Sequence, residues 1–107
     1  MLILQTLTDG PMHGYGVARW LEDRTEGALV VEEGSLYPAL YRMEKQGWVK
    51  ASWGRSENNR RARFYGLTAT GRQQLEREVS SWAHLLQAIH RVIPESQVLG
   101  ADAPQPA

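Results

Sequence analysis

The stretch Gly34-Ser35-Leu36-Tyr37-Pro38-Ala39-Leu40-Tyr41-Arg42-Met43-Glu44-Lys45-Gln46-Gly47 constrains the fold of this chain more than any other. Leu36, Leu40 and Met43 recur at the spacing of one helix face and turn inward. Tyr37, Tyr41 and Lys45 line another side, adjoined by Pro38 and Arg42. Ser35 is placed to cap the Tyr37 amide, which puts Pro38 in the first turn, where a missing N–H costs nothing. Gly47 suits the position just past the helix end, because glycine enters the left-handed region without strain.

A polar hairpin follows at once. Residues 48–53 and 61–67 read as strands, joined by the long polar tip Gly54-Arg55-Ser56-Glu57-Asn58-Asn59-Arg60. Between Arg42 and Arg63 there are seven cations (Arg42, Lys45, Lys50, Arg55, Arg60, Arg61, Arg63) against Glu44 and Glu57, a local charge of +5. The whole chain is neutral, so the remainder carries −5. A polyanion needs a positive face rather than a positive protein. A short helix followed by a basic hairpin is the way a winged helix-turn-helix reaches DNA. The predicted fold is therefore mainly α with a small β-hairpin, the hairpin serving as the wing.

The rest of the chain supplies the body. Residues 1–7 form a first apolar helix, stopped by Asp9-Gly10-Pro11. It is short, which points to residues preceding Met1. Residues 13–25 form a second helix. Val17, Ala18, Leu21 and Tyr15 face the core, and Arg19, Glu22, Asp23 and Arg24 face solvent. Gly14 and Gly16 weaken its start, so close packing against a neighbour is expected there. Thr68 or Thr70 opens the last helix, Thr70 and Gln73 fitting a capping box, and Pro94 ends it. Leu75, Val79, Trp82, Leu86, Ile89 and Ile93 form a near-heptad stripe along that helix. At roughly 34 Å, for about 1.5 Å per residue, the helix exceeds what so small a body can cover. Homodimerisation through it is the economical explanation. The expected organisation is a winged helix-turn-helix over 1–67, a dimerisation helix over 68–93 and a disordered tail over 94–107.

Several classes are disfavoured. With 107 residues and 42% hydrophobic content the chain builds one modest core. It has no cysteine, so neither disulfides nor thiolate metal sites are available. His84 and His90 lie six apart, wrong for one helix face, and His13 sits in a turn, so no metal is expected. The sequence offers no nucleophile–base arrangement, phosphate-cradling glycine loop or convincing carboxylate pair. Neither catalysis nor a cofactor is expected. No apolar run approaches a membrane span and no signal peptide is visible, which makes the cytoplasm the default.

Four motifs occur in a familiar order: Gly10-Pro11-Met12-His13-Gly14-Tyr15-Gly16, Glu33-Gly34-Ser35-Leu36-Tyr37-Pro38-Ala39-Leu40, Glu44-x-x-Gly47 and Tyr65-x-Leu67-Thr68-x-x-Gly71. Over residues 2–93 the chain resembles the PadR family of bacterial transcriptional regulators, in its short form with a single C-terminal helix. The resemblance implies a winged-helix dimer that usually represses its promoter, with the third helix in the major groove. It also implies that the last helix pairs with the partner's first and last helices, which adds Leu4 to the stripe as a dimer-interface residue. Some members release DNA on binding small aromatic compounds in or near the dimer interface.

The expected partner is double-stranded DNA carrying a pseudopalindromic operator, with half-sites about one helical turn, roughly 34 Å, apart. On the helix the DNA-binding set is Ser35, Tyr37, Pro38, Tyr41, Arg42 and Lys45. Arg42 suits a guanine edge, and the tyrosine hydroxyls and Lys45 suit phosphates. On the wing the set is Arg55, Asn58, Asn59, Arg60, Arg61 and Arg63. Trp82 and its counterpart across a two-fold axis are placed to sandwich a flat aromatic effector, or simply to fill the seam. Trp20, Trp48 and Trp53 are read as packing residues. The rival class is a dimeric winged-helix module that binds another protein, against which the retained cation clusters count.

Overall fold

Each helix contributes apolar residues to one core. In the computed structural model, which describes residues 1–94 and 96–97, α1 (Leu2–Thr6) brings Leu4 and its following Leu7, and α2 (Gly14–Arg24) brings Val17 and Leu21. Leu36 and Leu40 come from α3 (Glu33–Lys45), as their spacing predicted. Strands β2 (Val49–Arg55) and β3 (Arg61–Leu67) add Val49 and Tyr65, and α4 (Ala69–Val92) adds Leu75. Burying a side chain of this kind stabilises by about 1.5–3 kcal/mol.

The hairpin is a regular antiparallel ladder from Val49↔Leu67 out to Arg55↔Arg61. A short strand β1 (Met12–His13) joins its other side through Met12↔Tyr65 and His13↔Phe64, giving the order β1-β3-β2. The chain divides into two compact units, Met1–Glu76 and a second beginning at Arg77. None of the described helices is long and apolar enough to cross a membrane.

Gly47 ends α3 as expected. At φ +77° it lets the Trp48 amide reach the Met43 carbonyl at 2.9 Å and its own amide reach Glu44 at 3.0 Å. The start of α3 differs from the sequence reading. Glu32, not Ser35, is the N-cap; it makes no side-chain cap, and its carbonyl accepts from the Ser35 and Leu36 amides at 3.0 and 2.9 Å. Pro38 therefore lies beyond the first turn and costs the Gly34 carbonyl its helical donor. Glu33 in the first turn offsets part of that cost through the positive helix end.

The start of α4 is set by Thr68 rather than by a Thr70 box. Thr68 Oγ1 accepts from the Gly71 amide at 2.9 Å and donates to the Gly47 carbonyl at 2.6 Å, while its amide donates to Trp48 at 3.0 Å. These bonds tie α4 to the end of α3, and Gly71 fits there because a Cβ would collide with the Trp48 carbonyl oxygen.

Two further expectations are corrected. Tyr15 is 56% exposed rather than in the core, and Trp53 is 59% exposed rather than packed. The tail expectation over 94–107 falls, save for Pro94, Ser96 and Gln97, outside the described residues.

Candidate nucleic-acid interface

The outer side of α3 keeps its tyrosines and cations in solvent. Ser35, Tyr37 and Tyr41 are exposed, and Arg42 shares that side with them. Tyr41 and Lys45 stand one turn apart, with Lys45 Nζ 5.2 Å from the Tyr41 ring centroid. Tyr37 lies over Gly14, where a Cβ would come within 2.6 Å of its ring, which explains the glycine at the start of α2. Partial burial, then the nearby Glu33 and Tyr65, push the Tyr37 phenol above its ordinary pKa.

The wing continues the core-facing side of the sheet outward. Side chains alternate along a strand, and the register puts Val49, Ala51, Tyr65 and Leu67 near the body on the same face as Trp53, Arg55, Arg61 and Arg63 further out. Arg63 Nη2 reaches Glu44 Oε2 of α3 at 3.2 Å, linking wing and helix. Its charge is therefore partly neutralised within the chain. That pair is exposed and contributes little by itself.

The tip is a built turn. The Ser56 amide donates to Arg60, and the Asn59 amide to Ser56, both at 2.8 Å, with Asn59 at φ 59°. Arg55 Nη1 donates to the Asn59 carbonyl at 3.2 Å. Arg55 and Asn59 thus shape the tip, leaving Asn58, Arg60 and Arg61 exposed on it.

Three residues near the site escaped the sequence reading. His13 is the N-cap of α2, its Nδ1 accepting from the Gly16 amide at 2.9 Å, and its ring meets Phe64 edge-on at 5.4 Å. The Tyr15 hydroxyl accepts from Arg19 Nη1 at 2.9 Å. That bond to Tyr15, and then the Asp23 carboxylate, raise the Arg19 pKa. These side chains, with Tyr37 and the wing, border an open groove of about 900 Å³. Its rim carries Arg19, Arg55, Arg60, Arg61 and Arg63 against Asp23 and Glu57. The one legible signal was the four-residue spacing of Tyr15 and Arg19, which puts both on one helix face.

The residues assigned to a dimer seam fall into two groups. Leu4 and Leu75 are 0% and 7% exposed, buried in this chain's own core, so they have little area to offer a partner and leave the seam set. Val79, Trp82 and Ile93 are 42%, 48% and 40% exposed, and Leu85, absent from the sequence set, is 51% exposed. Leu86 and Ile89 complete the stripe along α4. Among the described residues no group of three His, Cys, Asp or Glu side chains gathers as a metal would need.

Comparison with known proteins gives a consistent picture. The sequence profile of the transcriptional regulator PadR-like family matches residues 3–77. A 37.1 kDa protein in transposon TN4556 of Streptomyces fradiae is 41% identical over 85 residues, 79% of this chain, which spans only 23% of that protein's length. The structure of a transcriptional regulator from Clostridium thermocellum superposes with a TM-score of 0.78 at 27% identity, covering 86% of this chain and 89% of the other. Bacillus subtilis PadR, crystallised in complex with operator DNA, shares the fold: TM-score 0.65, 20% identity, 73% of this chain and 44% of that one.

Proposed function

This chain belongs to the PadR-like family of transcriptional regulators, and on that premise we propose that it is a sequence-specific DNA-binding protein acting as a homodimeric repressor. The observation that carries the reading is the convergence of two cationic surfaces. Arg42 and Lys45 on α3 lie beside a wing whose face holds Arg55, Arg61 and Arg63, and the Arg63–Glu44 pair joins the two. The fold relative from Bacillus subtilis, solved on operator DNA, supports the same partner for this chain.

In this reading α3 enters the major groove, with Arg42 forking onto a guanine edge and Tyr37, Tyr41 and Lys45 holding phosphates. Asn58, Arg60 and Arg61 follow the backbone at the wing. Arg19, held by Tyr15, adds a phosphate contact from α2 that the sequence did not suggest.

Residues 1–67 then form the DNA-binding part, and the exposed apolar side of α4 from Val79 to Ile93 takes a second copy. Trp82 lies on that side and is the candidate for stacking on a flat aromatic effector. Such an effector must bind the DNA-incompetent dimer more tightly than the competent one, since otherwise it shifts no equilibrium. A regulator of this kind works in the cytoplasm.

The test is the salt dependence of binding to duplex DNA. Arg60→Ala and Arg61→Ala should each lower the log–log slope by about 0.9, the value for a single neutralised phosphate. If both variants keep the wild-type affinity and slope, the wing does not touch DNA.

A further inference from the structure

On the outer part of the wing one indole lies beneath two guanidiniums. Trp53 is 59% exposed, Arg61 Cζ stands 4.4 Å from its ring centroid and Arg63 Cζ 5.8 Å. The register sets Arg63 opposite Trp53 and Arg61 opposite Arg55. Three like charges therefore crowd two rungs of a ladder, an arrangement that repels when the charges face each other directly.

Two of the three are otherwise engaged. Arg63 is paired with Glu44 at 3.2 Å and Arg55 donates to the Asn59 carbonyl at 3.2 Å. Arg61 instead stands over the Trp53 face. A guanidinium stacked by its face keeps its N–H groups in plane and free, the fork that takes a phosphate or carboxylate bidentately. A large aromatic left mostly in water on a hairpin gains little from its own burial. Its contact with Arg61 gives it a role.

We infer that Trp53 is a positioning residue that holds the Arg61 fork flat and outward for a DNA phosphate. The inference rests on the DNA-binding reading and assigns Arg61's share of the wing's binding energy to a Trp–Arg unit rather than to a lone charge. An unstacked arginine has the same charge but must be ordered when DNA arrives, which weakens the contact without removing it.

The experiment is a double-mutant cycle on a duplex that the wild-type protein selects from a randomised pool. Trp53→Ala should weaken binding about two- to fivefold, the scale of an exposed cation–π contact. Trp53→Phe should recover part of that affinity. In the Arg61→Ala background Trp53→Ala should cost nothing more. Equal losses in both backgrounds would mean that Trp53 acts without Arg61 and would overturn the inference, as would an unchanged affinity in Trp53→Ala.

A second readout needs no DNA. In the free wild-type protein the Arg61 Nε–H proton should be shifted upfield by the indole ring, and Trp53→Ala should abolish the shift. An Arg61 proton at its ordinary position in the wild type would overturn the stack itself. A wild type that shows the shift yet enriches no duplex would instead sink the regulator reading, and the stack would then be packing alone.

Discussion

Gly71→Ala should lower the melting temperature by on the order of 10 °C, although alanine is the better helix former. The added Cβ would meet the Trp48 carbonyl oxygen and come within 2.9 Å of Leu67 Cδ1. Backbone cannot yield as the end of a flexible side chain can. Overpacking of this kind costs about 1–3 kcal/mol, and displacing Trp48 strains its bond from the Thr68 amide, about 1 kcal/mol more. The helix-propensity gain returns about 1 kcal/mol. Gly34→Ala is the control, because a Cβ there meets nothing within 4 Å. It should leave the melting temperature unchanged or raise it slightly. If Gly71→Ala melts with the wild type in a calorimeter, the approach of α4 to the end of α3 is not as described.

Trp82→Glu should turn the proposed homodimer into a monomer and reduce operator affinity by about 100-fold or more, because two linked half-site contacts would become one. Trp82 is 48% exposed on the side that carries Val79 and Ile93. In the proposed seam a carboxylate there would meet its symmetry mate among apolar side chains, and burying unpaired like charges is costly. Gln87→Glu adds the same charge at another exposed position of α4 and should leave assembly intact. Light scattering at matched concentrations reads both variants. A dimeric Trp82→Glu would move the seam elsewhere.

Much of this architecture was legible because local and tertiary demands agree. Leu36, Leu40 and Gly47 mark both the buried side of α3 and its end, and the structure uses each as the pattern suggests. The hairpin was legible for the same reason. Two apolar-flanked runs separated by a polar, asparagine-rich tip have few other ways to satisfy their backbone. The failures lie where a distant residue or the preceding backbone decides. Ser35 and Pro38 signal a late helix start, but the Glu32 carbonyl already accepts two amides, so the helix begins earlier. Thr68 and Thr70 are comparable caps locally, and the bonds to Gly47 and Trp48, 21 and 20 residues away, select Thr68.

The candidate site follows the same division. The exposed tyrosines and cations of α3 were readable from helical spacing, and the arginines of the wing from their density. What each arginine does was not. Arg63 answers to Glu44, 19 residues away, and Arg61 to an indole across the ladder. Trp53 looked like a packing residue because aromatic residues usually are, and only the cross-strand register puts it under guanidiniums. Leu4 was drawn into the seam by the resemblance, and its burial in the chain's own core takes it out.

The measurement that bears most directly on the regulator reading is a hydroxyl-radical footprint of the wild-type protein on a duplex enriched from a randomised pool. A homodimeric regulator should enrich a pseudopalindrome and leave two symmetric protected patches about one helical turn, roughly 34 Å, apart. Failure to enrich any duplex, or uniform protection without half-sites, would contradict it.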